Sequence, residues 1–194
     1  MSSWDESYGG RPPWDIGRPQ PEFLKLADEG RVTGKVIDVG CGTGEQAMLF
    51  ASRGSTVLGV DSSPVAVGLA RSKARSRGST AEFLVWDALD LGSLGREFDA
   101  ATDCGLFHVF PDDQRRAYVA SLASTVKQGG SCFMLCFSEL EPTEWGGPRR
   151  VSRPEIEAAF SRGWKVRSVV PAKFDTNFHA DGGSAWLAWV TRTA

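Results

Sequence analysis

From residue 35 onward, short apolar runs alternate with segments whose apolar residues recur at helical spacing, and glycines punctuate the boundaries. Val36-Ile37-Asp38-Val39 reads as a short buried strand ending in glycines. Residues 45–53 then place Ala47, Met48, Phe50 and Ala51 on a helix closed by Gly54. Residues 56–60 form a second strand, and 64–77 a helix entered through Ser62-Ser63 and stopped at Gly78. Residues 83–86 make a third strand and 98–102 a fourth, while 88–95 between them has no definite period. A helix is expected over 113–127, ended by Gly129-Gly130, with a fifth strand over 131–137. Strand, helix, strand at this rhythm predicts a parallel sheet with helices on both faces.

The two ends break the rhythm. Residues 152–161 read as a helix with a capping box, Ser152 with Glu155. Residues 164–174 and 184–191 are two strands with no helix between them, so they are expected to pair antiparallel. The expected architecture is an α/β, doubly wound, mostly parallel sheet of seven strands with an antiparallel last strand. At the other end, residues 1–20 hold Trp4, Tyr8, Trp14, Pro12, Pro13 and Pro19 with no sustained period. Such a segment cannot build its own core, so its aromatics are expected to dock on the main domain, 21–194, as a lid. That domain opens with a helix over 21–29, with Pro21 in its first turn and Gly30 as its stop.

A length of 194 residues suits one domain with a full core. With 22 basic against 24 acidic residues, the formal charge of −2 leaves no electrostatic footprint for nucleic acid. The basic run over residues 71–77 reads as the solvated end of a helix. No apolar stretch approaches a membrane span, and the polar, acidic start Met1-Ser2-Ser3-Trp4-Asp5-Glu6 is unlike a secretory signal. Cys41, Cys104, Cys132 and Cys136 lack zinc-ligand spacing, and His108 and His179 are the only histidines. Cys132 and Cys136 share a strand face, ~13 Å apart, too far for a disulfide. Reduced thiols, no metal and a cytoplasmic location are the expectation.

The chemistry concentrates after the first strand, in Asp38-Val39-Gly40-Cys41-Gly42-Thr43-Gly44. Glycines at a strand-to-helix turn let a ligand lie against the main chain, at the carboxyl ends of the strands. Asp61 ends the second strand, and a carboxylate there suits the two hydroxyls of a ribose. The spacing is G-x-G-x-G, not the G-x-G-x-x-G of dinucleotide binders, and Glu45 puts a negative charge where a pyrophosphate would bind. A cofactor without phosphate is expected. Asp38 favours a cationic group beside it, and S-adenosylmethionine offers adenosine, an ammonium and a sulfonium. A nicotinamide-dependent oxidoreductase is the alternative of the same fold, and a non-catalytic S-adenosylmethionine-binding protein the alternative of another class.

This loop, with Asp61 and then Trp86-Asp87-Ala88, resembles the first three motifs of class I S-adenosylmethionine-dependent methyltransferases, a Rossmann-like family. The resemblance implies that Gly40 and Gly42 line the methionine moiety, Asp61 holds the ribose and Asp87 meets the adenine amino group. Ser62, Ala88 and Asp103, beside these motifs and at the mouth of the sheet, are counted with the cofactor residues. A narrower resemblance lies in residues 11–21, RPPWDIGRPQP, and in residues 98–108, FDAATDCGLFH. Both are similar to the thiopurine, halide/thiol and mycobacterial heterocyclic-toxin methyltransferase branch. That branch implies small aromatic or thiol substrates and a Trp14 that touches the cofactor; Trp14 as a staple of the N-terminus to the core is the alternative. His108 has an ordinary pKa suited to removing a proton from a phenol, hydroxyl or thiol. It is a candidate general base, or else a wall residue between Phe107 and Phe110. Cys104 reads as a small wall residue.

Overall fold

The computed structural model describes residues 3–143 and 147–193; Met1 and Ser2 of the expected lid lie outside them. Seven strands, β1 (Lys35–Val39), β2 (Thr56–Asp61), β3 (Glu82–Val85), β4 (Phe98–Cys104), β5 (Val126–Phe137), β6 (Trp164–Phe174) and β7 (Gly183–Arg192), form one sheet in the order β3-β2-β1-β4-β5-β7-β6. Strands β1 to β5 pair parallel, and β7 runs antiparallel to both β5 and β6. The strand order reverses between β1 and β4, and a crevice opens there beyond the carboxyl ends of the strands.

Helices cover both faces because the strands are apolar on both. One core cluster joins Phe23 of α2 (Pro21–Asp28), Phe50 of α3 (Glu45–Ser52) and Val67 and Ala70 of α4 (Pro64–Arg77) to the sheet. The other joins Tyr118 and Leu122 of α5 (Asp112–Thr125) and Ile156 of α6 (Arg153–Ala159) to the opposite face. The caps are those the sequence announces. Ser63 accepts from the Ala66 N–H, Gly78 closes α4 at φ +63°, and Ser152 and Glu155 form the reciprocal capping box.

Four features depart from the sequence reading. The N-terminal segment contains a short helix, α1 (Ser3–Ser7). Residues 88–94 resolve into 3₁₀ turns broken at Asp90, which explains their lack of period. Helix α5 stops at Thr125, and Gly129-Gly130 lies within β5. Val126 is buried in the core and pairs with Phe98, so the sheet claims it, and residues 127–130 bulge before pairing resumes at Ser131. The basic end of α4 is only partly a solvated face. Arg71 donates to the Phe83 carbonyl, and Lys73 and Arg77 both reach Glu45.

Candidate active site

Three glycines with positive φ, Gly40 (+68°), Gly42 (+52°) and Gly44 (+87°), turn the chain from β1 into α3. They serve different ends. A Cβ on Gly40 would come within 3.0 Å of Leu106, and Gly40 forms part of a cavity wall. A Cβ on Gly42 would come within 2.9 Å of the Tyr8 hydroxyl, and Gly42 does not line that cavity. The Gly42 N–H instead donates to Asp61 Oδ2 (2.9 Å), while Asp61 Oδ1 accepts from the Ser63 N–H (2.9 Å). Each carboxylate oxygen keeps capacity for a further donor. Burial raises the Asp61 pKa, and these two backbone bonds oppose the rise.

The cavity beyond the strand ends has a volume of about 830 Å³. Of the residues singled out from the sequence, Trp14, Gly40, Asp61, Ser62, Asp87, Ala88 and His108 line it. Asp87 holds its own turn by accepting from the Leu89 N–H (2.9 Å). Asp38 lines a small recess that shares Trp14, Gly40, Cys104 and Phe174 with the cavity. Burial pushes its pKa up to about 7, against the hydrogen bond from Thr102 Oγ1 (2.7 Å) and with the help of Asp103.

Three expectations need correction. Gly42, expected beside the methionine moiety, lines neither the cavity nor the recess, and its N–H is spent on Asp61. Asp103 lines neither space. It is buried, and its oxygens accept from the Leu106 and Phe107 N–H groups and from the Tyr118 hydroxyl (2.8 Å), so it fixes the turn after β4. Burial raises its pKa to about 6. Glu45 is not a bare charge at the helix N-terminus. Lys73 Nζ (2.8 Å) and Arg77 Nη1 (2.7 Å) hold it. Burial would raise its pKa, but these two cations outweigh burial and lower it. The charge of Glu45 is therefore already compensated, so repulsion of a phosphate by a bare carboxylate does not operate here.

His108 is 4% exposed and stacks on Phe137, with ring centroids 5.1 Å apart and planes 9° apart, rather than between Phe107 and Phe110. Phe107 turns away to stack on Phe160. The Phe137 N–H donates to His108 Nδ1 (3.1 Å). A backbone N–H can only donate, so Nδ1 is an acceptor and the neutral ring carries its proton on Nε2. Burial, and then the charge of Arg115, lower the pKa to about 3.

The N-terminal segment closes one side. Trp4, Tyr8, Pro13 and Trp14 line the cavity, with Trp14 edge-on to both Trp4 (5.9 Å) and Tyr8 (6.3 Å). Polar anchors hold it. Ser63 Oγ donates to Asp5, Thr43 Oγ1 donates to Asp15, and the Asn177 side chain donates to the carbonyls of Pro12 and Asp15. Phe110, Phe137, Phe174 and Phe178 also line the cavity, residues that carry no motif to mark them as site residues in the sequence.

This fold and site define an enzyme-like domain that holds a nucleoside-type cofactor at the carboxyl ends of its strands. Residues 36–130 match a family model described as "Methyltransferase domain". The chain is 37% identical over 187 residues to a 2-heptyl-1-hydroxyquinolin-4(1H)-one methyltransferase of Mycobacteroides abscessus, covering 94% of this chain and 82% of that one. It is 28% identical over 177 residues to a probable thiol methyltransferase of Arabidopsis thaliana, covering 86% and 75%. Among solved structures it superposes with a TM-score of 0.87 and 34% identity, over 98% of this chain and 89% of the other, on one described as "Conversion of a Disulfide Bond into a Thioacetal Group during Echinomycin Biosynthesis". The chain belongs to the S-adenosylmethionine-dependent methyltransferases.

The residues present fit that cofactor. Asp38 and Asp61 accept hydrogen bonds and favour the ammonium and the ribose diol, and Gly40 keeps a wall open where a side chain would collide with Leu106.

Proposed function

We propose that the protein methylates the oxygen or sulfur of a small, flat, aromatic or heterocyclic molecule. The observation that carries this is the apolar, phenylalanine-rich lining of the cavity. Its 830 Å³ lies in the upper part of the ~300–1,000 Å³ range of ligand pockets, room for a second molecule beside the cofactor. The hydroxyquinolone named for the Mycobacteroides abscessus relative is an acceptor of this kind.

In this reading Asp61 and Asp87 hold the adenosine, with Ser62 and Ala88 beside them, and Asp38 holds the ammonium. When bound, the cofactor supplies a methyl group on a positively charged sulfur. The protein contributes alignment and dryness. Phe137 and Phe174 fix the plane of the acceptor, and Trp4, Tyr8 and Trp14 cover the site and exclude water. We take the N-terminal segment as that cover, with the Trp14 ring available to a cation. No helix of the described residues is long and apolar enough to cross a membrane. Four unpaired cysteines suit a reducing compartment, and the cytoplasm is where we place the protein.

The test is a methyl-transfer screen of hydroxyquinolones, phenols, aromatic thiols and halide, with S-adenosylhomocysteine release and product mass as readouts. Turnover of an aromatic hydroxyl or thiol is expected. Tight binding of S-adenosylhomocysteine with no turnover of any acceptor would count against a catalytic role on such molecules.

A further inference from the structure

We propose that His108 is a fixed hydrogen-bond donor to the acceptor and not its base, so that the molecule methylated is an acidic aromatic hydroxyl that enters already ionised. The inference rests on the acceptor class proposed above.

The argument starts from the proton inventory of one ring. An imidazole that removes a proton needs a free lone pair facing the substrate. In His108 the Nδ1 lone pair is occupied by the Phe137 N–H, at the end of β5. Nε2 therefore bears hydrogen, and among the described residues no group accepts from it. Its surroundings leave it room. Gly105 lines the cavity, and a Cβ there would stand 3.4 Å from Nε2 and 3.0 Å from Phe174. The ring cannot easily turn over to exchange its nitrogens, because Phe137 lies flat against it and Phe174 packs at 5.9 Å.

Protonating the ring is unfavourable on every side. Phe137 and Phe174 of β5 and β6 are apolar, and α5 presents the Arg115 guanidinium. Cys104, the last residue of β4, lines the same cavity, and burial pushes its thiol well above its ordinary range, so it supplies no negative charge. Asp61 and Asp87 stand at the cofactor end of the cavity, and Arg149 at the rim is held by Asp112 and Glu155. No described carboxylate bonds the ring to stabilise a positive charge.

A donor in this position selects among nucleophiles. An amine attacks with its single lone pair, which a hydrogen bond would tie up. A phenolate-type oxygen has three, so it can accept from Nε2–H and still attack; a thiolate sulfur also has three but accepts hydrogen bonds weakly, so the donor favours oxygen. The proton is lost to water before binding. An oxygen lone pair then forms the new bond to the methyl carbon, and the electron pair of the broken carbon–sulfur bond stays on sulfur. No protein group changes its protonation in that step.

Three measurements test this. The first is kcat/KM against pH for two hydroxylated heteroaromatic acceptors whose hydroxyl pKa values differ by about 2 units. The acid limb is expected to move with the acceptor; a limb fixed at one pH for both, and absent in His108→Gln, overturns the proposal. The second compares variants. His108→Phe is expected to lower kcat/KM at least ~10-fold, and His108→Gln, which keeps an N–H and cannot take a proton near neutrality, to recover a substantial part of it. Equal losses in the two overturn the donor role. The third is nitrogen NMR of histidine-labelled protein, the His108 signals assigned by their absence in His108→Gln. A neutral ring with its proton on Nε2 is expected from about pH 5 to about pH 8. A ring that titrates in that range, or carries its proton on Nδ1, overturns the proposal without any turnover being needed. If no acceptor reacts at all, the proposed function fails while the NMR still decides the state of the ring.

Discussion

Asp61 is the last residue of β2 and Asp103 the last but one of β4, and both are pushed upward by burial, yet they face different ways. Asp61 lines the cavity, so Asp61→Ala should weaken S-adenosylhomocysteine binding by about 2 kcal/mol, roughly 30-fold, and lower the melting temperature as well, because the Gly42 and Ser63 N–H groups lose their acceptor. Isothermal titration checks it, and an unchanged Kd would remove Asp61 from the cofactor site. Asp103 points inward to Tyr118. Its folded pKa of about 6 lies above the ordinary 3.8, so the folded protein holds that proton more tightly than the unfolded chain. The stability this linkage contributes is full below pH ~3.8 and is lost as the pH rises through about 6. Above that, the buried carboxylate depends on its donors. Tyr118→Phe should therefore cost about 1–3 kcal/mol at pH ~8 and clearly less at pH ~5. Urea unfolding at both pH values checks this, and a larger loss at the acid end would contradict the ionised pairing. That Asp38, Gly40 and Asp61 would stand at the strand ends, where they line the recess and the cavity, was legible because backbone geometry and strand position announce it. The orientation of Asp103 could not, since it depends on a hydroxyl 15 residues away on α5. Nor could the tautomer of His108, which a main-chain N–H 29 residues downstream decides.

Among the elements, α4 and β6 begin and end as the sequence predicts, at Pro64, Arg77, Trp164 and Phe174, because caps and strand periodicity are local signals. The junction of α5 with β5 was misread because its deciding contact is not local. The helical pattern runs on past Thr125, but Val126 is worth more against Phe98 in the sheet than as one more helical residue. The N-terminal element was legible as something that must dock, not as to where its anchors lie. A chain beginning at Gln20 removes Trp4, Tyr8 and Trp14 from the cavity wall while keeping the Gln20 side chain on residue 175. It should stay folded, bind S-adenosylhomocysteine more weakly and lose most turnover, read by circular dichroism, titration and product release. Full turnover in the shortened chain would reduce these aromatics to packing.

At the scale of the molecule, the parallel body of the sheet and its antiparallel close were legible from the spacing of strands and helices, since a strand pair with no helix between has few other arrangements, whereas the insertion of β7 between β5 and β6 was not. What spacing could not show is that the cavity is built from both ends of the chain. The Asn177 side chain bonds to the carbonyls of Pro12 and Asp15, and the Asn177 N–H to that of Pro13. Arg18 pairs with Asp175. These contacts span more than 150 residues, and they give the site a history within each molecule's synthesis. A ribosome adding ~5–20 residues per second delivers Trp4 and Trp14 early, many seconds before the residues that seat them. The parallel half of the sheet can assemble while β6 and β7 are still unmade, with its crevice unsealed. A growing chain therefore cannot seat its N-terminal segment over the crevice until the residues around Asn177 have been made. Capture of ribosome-bound chains on immobilised S-adenosylhomocysteine should retain those that end before Phe174 more weakly than longer ones, and equal retention would show that the growing chain meets its cofactor before its cover is seated.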